Sequence, residues 1–258
     1  MLRALEGSEV ADRDGYVVVH SPANPMFWWG NFILLREPPR PGEASTWLAT
    51  FGREFPGAGH VALGIDVTDS GGSEMAGFLE AGLSADLSTV MTAATLPDPP
   101  HPNRAAQYRR LQDDDDWLQS LDLQVAANSD EEAGAERAFC ERRTGDARRL
   151  AGTGRGAWFG AFHDGRLVAQ LGLVSDGAGV ARYQNVETHP AARRQGLAGT
   201  LVCQAGRYGI EELAASTLVI VAEAGSAAAR LYQSVGFVSV EDQVGLAGPA
   251  GETAAQIR

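Results

Sequence analysis

The chain has 258 residues, with 21 basic and 33 acidic side chains, a formal net charge of −12 and a pI of about 4.8. That charge argues against nucleic acid as the main partner, because phosphate neutralisation calls for a basic surface. Apart from five histidines every basic side chain is Arg; Schiff-base chemistry and a phosphate-binding P-loop lysine, which both need a side-chain amine, are excluded.

A chain of this length buries roughly three quarters of its unfolded surface, so one large or two small domains need no covalent staples. Cys140 and Cys203 have no pairing or metal-ligand spacing, and a reducing, cytoplasmic compartment is expected. Residues 1–10 carry acidic side chains and lack the apolar stretch of a signal peptide. The longest apolar run, Met26 to Leu35, is broken by Gly30 and Asn31 and is too short for a bilayer, so no membrane partner is expected.

In chain order, Val17 to Val19 and Phe32 to Leu35 read as strands, followed by a proline loop from Glu37 to Gly42. Ser45 is a candidate cap for a helix that stops at Pro56-Gly57. His60 to Val67 reads as a strand, Ser73 to Ala81 as a short helix closed by Gly82, and Ser84 to Thr95 as a strand. The aromatic stretch Pro25 to Asn31 is either a substrate wall against the active half or an inter-domain core patch, and the core reading is preferred.

Leu96 to Pro102 holds four prolines, which fit neither a helix nor a central strand. It reads as a linker, dividing the chain into domains 1–100 and 101–258. Beyond it come a short strand (Gln107 to Leu111), an acidic run and two helical stretches ending near Leu150. Asp113 to Asp116 fit a helix start, where acids favour the dipole. Consecutive side chains diverge on a helix, so no metal is expected there. Gly152, Gly154 and Gly156 precede a strand instead of following one, which makes a turn and not a dinucleotide loop. Trp158 to Phe162 and Leu167 to Val174 are joined by the tight turn His163-Asp164-Gly165 as a hairpin, and Val180 to Thr188 is a third strand.

The segment that follows carries the chemistry. Pro190 ends the strand, and a helix begins with Leu197, Leu201, Ala205 and Tyr208 on one face. Between them lies Arg193-Arg194-Gln195-Gly196-Leu197-Ala198-Gly199. A glycine that lets backbone approach a ligand, successive N–H groups and a helix start together make an anion site, for which a pyrophosphate is the natural guest. Further on, Ser226 to Phe237 forms a helix between the strands Leu218 to Ala222 and Phe237 to Val240. Cys203 has no paired His nearby in sequence and reads as a small buried hydrophobe.

These two segments resemble the GNAT superfamily of N-acetyltransferases. Arg193 to Ala198 is similar to that family's R/Q-x-x-G-x-G/A acyl-CoA loop. Ala228, Leu231-Tyr232 and Gly236-Phe237 are similar to its A-x-x-L-Y-x-x-x-G-F helix, and the resemblance extends over Arg109 to Leu246. One departure is Gly225, where many members carry Asn. The resemblance implies a mixed-sheet α/β GNAT fold that transfers an acetyl group from acetyl-CoA, as co-substrate, to a primary amine of a small molecule or peptide. It implies donor contacts from Val186, Thr188, Arg193, Arg194, Gln195, Gly196, Leu197, Ala198, Gly199, Ser226, Leu231 and Tyr232. It also implies that the sheet splays between the strands of Val186 and Ile220, that an N–H near Val186 polarises the thioester carbonyl, and that Tyr232 protonates the leaving thiolate.

An alkyl amine with a pKa of about 10.4 is free base to only about one part in two thousand at neutral pH, so its deprotonation calls for a base. Glu187, beside the expected thioester, is the choice, directly or through water; His189 and Glu223 are weaker candidates. The alternative for Glu187 is an orienting role only. Residues 1–100 carry a faint echo of the second half, a strand, helix and strand without the R-x-x-G-x-A loop, and resemble a degenerate GNAT unit. A non-catalytic acetyl-CoA sensor or interaction protein on the same fold is the rival expectation. Oligomeric state is not fixed by the sequence, and a homodimer is one allowed arrangement.

Overall fold

The computed structural model describes residues 2–65, 75–128 and 133–250. The chain divides into two compact units, one built from Arg3–Thr89 and Glu241–Arg258, the other from Val90–Val240. The first unit is therefore discontinuous. The sequence reading runs the second domain from 101 to the end, but the C-terminal strand belongs to the first unit, and residues 90–100 to the second. The proline segment packs instead of linking: Leu96 is buried, and a Cβ on Gly206 or Gly236 would press on Leu96 or Pro97.

The first unit holds α1 (Leu2–Leu5) from Arg3 onward and the strands β1 (Glu9–Arg13), β2 (Tyr16–His20) and β3 (Phe32–Leu35). Helix α2 (Ala44–Glu54), strand β4 (His60–Ile65) and helix α3 (Ala76–Glu80) follow. Strands β1, β2 and β3 pair antiparallel in turn, and β3 pairs parallel with β4 across the α2 crossover. Residues Val244 to Pro249 return antiparallel on β4. Val67 and Ser73, at the expected ends of two elements, lie outside the described residues. Ser45 does not cap α2: the helix starts one residue earlier, and Glu43 precedes it, its carboxylate accepting from the Arg40 N–H at 2.9 Å.

The aromatic stretch near residue 28 is packed within this unit. Trp28 stacks on the His60 ring at 5.4 Å, Trp29 meets Phe32 edge-on, and buried Asn31 ties the loop through Asn24 and Phe27 carbonyls. His60 is 3% exposed, with Nε2 3.0 Å from the Asn31 carbonyl, and burial holds its pKa below the ordinary value. A folded pKa below the unfolded value means stability that is full above about pH 6.5 and lost as pH falls through the folded value. Thermal unfolding followed between pH 7 and pH 5 is expected to show that loss, and His60→Gln is expected to flatten it.

The second unit takes its edge from β5 (Ser84–Ala93), of which residues 90–93 belong to it. Next come β6 (Gln107–Arg110), α4 (Asp114–Asn128), α5 (Ala133–Ala151), β7 (Gly156–His163), β8 (Arg166–Ser175) and β9 (Val180–Thr188). Then follow α6 (Leu197–Glu211), β10 (Thr217–Glu223), α7 (Ala227–Ser234) and the start of β11 (Val238–Pro249). The strand order is β5-β10-β9-β8-β7-β6. Strands β6 to β9 pair antiparallel, and β9 pairs parallel with β10, so the sheet is mixed.

Alternation along β7 sorts the layers. Trp158 meets Trp117 of α4 at 6.2 Å, whereas Phe159 meets Tyr208 of α6 at 5.2 Å. Helices α4 and α6 thus cover opposite faces. The α6 face is apolar, with Leu171, Leu173, Leu201, Val202, Leu218 and Ile220 fully buried. The acidic run is divided among partners. Asp113 accepts from the Asp116 N–H, Asp114 pairs with Arg148, Asp115 holds Gln119, and buried Asp116 takes Arg109 through both oxygens at 2.5 and 2.7 Å. The Arg109 guanidinium is the main reason the Asp116 carboxyl stays below the usual carboxylate range.

Candidate active site

Parallel pairing between β9 and β10 covers only Val180–Arg182 against Thr217–Val219. Both strands run on, β9 to Thr188 and β10 to Glu223, so a gap opens between them towards their C-terminal ends. On the other side of β9 the register with β8 shifts between Gln170 and Gly172, where Asn185 takes a left-handed φ of 47°. Such a bulge re-aims backbone groups and side chains locally. Arg143 of α5 donates to the Asn185 side chain and braces the bulge. Val186 and Glu187 follow directly.

Glu187 is half-buried and stands opposite Gln170 in the ladder. Gln170 is 1% exposed; its Nε2 donates to Glu187 Oε2 at 2.7 Å and to the Ser120 carbonyl at 3.3 Å. Burial raises the Glu187 pKa, against smaller lowering effects from the Gln170 amide and the Arg143 charge. A carboxyl in that state ionises closer to neutrality than an ordinary one, which suits proton abstraction.

After β9, His189 Nδ1 accepts from the Ala191 N–H at 3.2 Å over a single tight turn, and Arg193 Nε donates to the Thr188 carbonyl at 3.3 Å. Arg194 and Gly196 are both left-handed, with φ of 65° and 75°. The chain thereby curls into a concavity of backbone N–H groups that continues into the first turn of α6, whose donors at Leu197, Ala198 and Gly199 have no acceptor within the helix. Gly196 meets two demands at once: its φ is positive, and a Cβ there would lie 2.3 Å from the His101 carbonyl oxygen.

Helix α7 stands across the gap. Ser226 caps it by accepting from the Ala229 N–H at 3.1 Å, and Gly225, left-handed with φ 69°, gives its carbonyl to Arg230. Gly199 faces Leu231 and Val235, which sets α6 close to α7. Tyr232 is 4% exposed and packs edge-on to Phe237, and burial pushes its pKa to about 12.

These elements enclose a cleft of about 1350 Å³, ample for a nucleotide-sized ligand. Val186, Glu187, Thr188, the whole of Arg193 to Gly199, and Leu231 line it. Tyr232 and Ser226 do not: one lies in the core behind the lining and the other caps its helix. Arg193, Arg194 and Arg230 gather guanidinium charge at the cleft in a chain of net charge −12. The loop N–H groups, these arginines and the apolar gap beyond them fit a donor with an anionic head and an extended arm.

Residues 117–237 match the family model described as the acetyltransferase (GNAT) family. This segment is a GNAT-family acetyltransferase domain. Its bounds fall inside Arg109 to Leu246, the span of the sequence resemblance. Among solved structures, a functionally unknown conserved protein from Staphylococcus epidermidis superimposes with a TM-score of 0.74 at 10% identity, covering 93% of each chain. A GCN5-related N-acetyltransferase from Kribbella flavida gives 0.62 at 17% identity, over 98% of this chain and 95% of that one. A tandem GNAT protein from the clavulanic acid biosynthesis pathway gives 0.58 at 13% identity, over 92% and 78%. Likeness at these identities concerns the GNAT fold. No curated protein matches the chain.

Three features around the GNAT loop have no signal in the motifs. Pro99 to Pro102 line the cleft, Asn103 bonds to the loop, and Gln170 holds Glu187. Only the turn formed by Asn103 with Ala105 and Ala106 has a local signature, an Asn followed by small residues. Among the described residues no helix is long and apolar enough to cross a membrane, and Cys140 and Cys203 are both buried.

Proposed function

We propose that the unit Val90–Val240 transfers an acetyl group from acetyl-CoA to a primary amine of a small molecule or peptide, by direct attack of the amine. The observation that carries the reading is the Arg193–Gly199 loop at the mouth of the gap between β9 and β10. The donor, when bound, supplies an activated acyl thioester. The loop N–H groups and Arg193 and Arg194 hold its pyrophosphate, Thr188 and Leu231 flank its arm, and the N–H near Val186 polarises the thioester carbonyl. Glu187 takes the ammonium proton, directly or through one water. Tyr232, buried behind the cleft lining with its pKa raised to about 12, is assigned the proton that the departing thiolate takes up. The first unit has no R-x-x-G-x-A loop, so one donor binds per chain.

A thiol leaves with a pKa of about 8.5 and needs less help than the amine. Tyr232→Phe is accordingly expected to slow acetyl transfer by about tenfold to a hundredfold with acetyl-CoA affinity retained; an unchanged rate would remove Tyr232 from the mechanism. The function itself is tested by incubating the protein with acetyl-CoA and a panel of primary amines. Amine-dependent thiol release with an acetylated product by mass is the expected outcome. Saturable donor binding with no transfer to any amine would favour the sensor reading, and transfer only from longer acyl donors would correct the acyl group.

A further inference from the structure

The segment Pro99–Asn103 lies outside the family match, and its residues up to Pro102 read as linker in the sequence, yet it is built against the anion loop. Gly196 has no room for a side chain because the His101 carbonyl oxygen occupies the place of its Cβ, and the Asn103 nitrogen follows at 3.4 Å. Asn103 joins the loop through its side-chain amide and its backbone N–H. Its Nδ2 donates to the Gln195 carbonyl at 2.9 Å, and its backbone N–H donates to Thr200 Oγ1 at 2.9 Å. Its Oδ1 accepts from the N–H groups of Ala105 and Ala106 at 3.1 and 3.0 Å, which fixes the amide to its own turn. Thr200 Oγ1 in turn donates to the Gly196 carbonyl at 2.9 Å. Two consecutive carbonyls of the loop, Gln195 and Gly196, are thus held from one side.

In a planar trans peptide the carbonyl of one residue and the N–H of the next point in opposite directions. Fixing the Gln195 and Gly196 carbonyls therefore fixes the N–H groups of Gly196 and Leu197. Pro99, Pro100 and Pro102 limit the freedom of the strap before any ligand arrives, so little ordering is left for binding to supply.

The geometry points to Asn103 as a positioning residue, acting with Thr200, that aims the loop N–H groups at the diphosphate of a nucleotide-bearing acyl donor. The inference rests on the acyl-CoA reading of the cleft. It predicts discrimination, not general stability: the strap matters for a donor that has a diphosphate and not for one that lacks it.

Two probes separate these effects. Acetyl-CoA and S-acetylpantetheine, which ends before the diphosphate, are titrated into wild type, Asn103→Ala, Thr200→Val and Thr200→Ser, with thermal unfolding recorded for each. Loss of one well-placed hydrogen bond corresponds to about tenfold in affinity. The ratio of affinities, acetyl-CoA over S-acetylpantetheine, is expected to fall about tenfold in Asn103→Ala and in Thr200→Val. Thr200→Ser, which keeps the hydroxyl, is expected to retain the wild-type ratio. Should Asn103→Ala fail to fold, the Thr200 pair decides. An unchanged ratio, or equal losses on both probes, would make the strap a packing element only and overturn the inference. A wild type that binds both probes equally would instead overturn the acyl-CoA reading beneath it.

Discussion

Glu187→Gln is expected to slow amine acetylation at neutral pH by about a hundredfold or more, the usual contribution of a positioned base, with donor affinity within about twofold of wild type. The amide keeps the shape of the side chain and can still accept from Gln170 Nε2, so the change removes basicity and little else. Burial raises the Glu187 pKa. The acid limb of kcat/KM should therefore lie above the ordinary carboxylate value of about 4.3, with the rate rising as Glu187 ionises. Gln170→Met, which removes an amide donor that favours the carboxylate, is expected to move that limb to higher pH. Stability has the opposite sign. A carboxyl whose folded pKa is raised contributes stability that is full below the unfolded pKa and lost as pH rises through the folded one. Glu187→Gln should then melt higher than wild type at pH 8, and by a smaller margin at pH 5. An orienting role alone would leave the acid limb where it is.

Gly196→Ala is expected to weaken acetyl-CoA binding by about a hundredfold or more. A left-handed φ costs an L-residue roughly 1–2 kcal/mol. At Gly196 the new Cβ would also meet backbone, the His101 carbonyl at 2.3 Å, which cannot swing aside like the end of a side chain. Relief requires the loop or the strap to shift, and each holds the donor site in shape. Gly165→Ala isolates the first effect: its φ is 76° and nothing lies within 4 Å of the added atom, so only strain is expected, without loss of donor affinity. Equal losses in both variants, read by calorimetry beside thermal unfolding, would mean that steric contact with the strap is unimportant.

Local signals in the sequence explain what was legible. The hairpin of β7 and β8 is announced by Asp164-Gly165, both left-handed at the turn, and the cap of α7 by Ser226. The anion loop is announced by Arg193 to Gly199, because its function lies in consecutive backbone groups. What escaped depends on contacts between distant residues. Asn103 reaches Gln195 across 92 positions, and Gln170 reaches Glu187 across 17 only because a bulge shifts the register. Prolines at 97, 99, 100 and 102 signal the absence of regular structure, and nothing in them distinguishes a free linker from a rigid strap. The return of Val244 to Pro249 to β4 was hidden for the same reason, since strand pairing partners are not encoded in a strand's own pattern. Tyr232 reads from its motif as a cleft residue, but the cleft lining passes in front of it.

The proposed transferase binds one donor per chain, at the Arg193–Gly199 loop. Calorimetric titration of acetyl-CoA into the pure protein measures that directly. Saturable binding of one equivalent is expected. Two equivalents would mean that the first unit holds a donor despite lacking the loop, and no binding would contradict the acyl-CoA reading altogether.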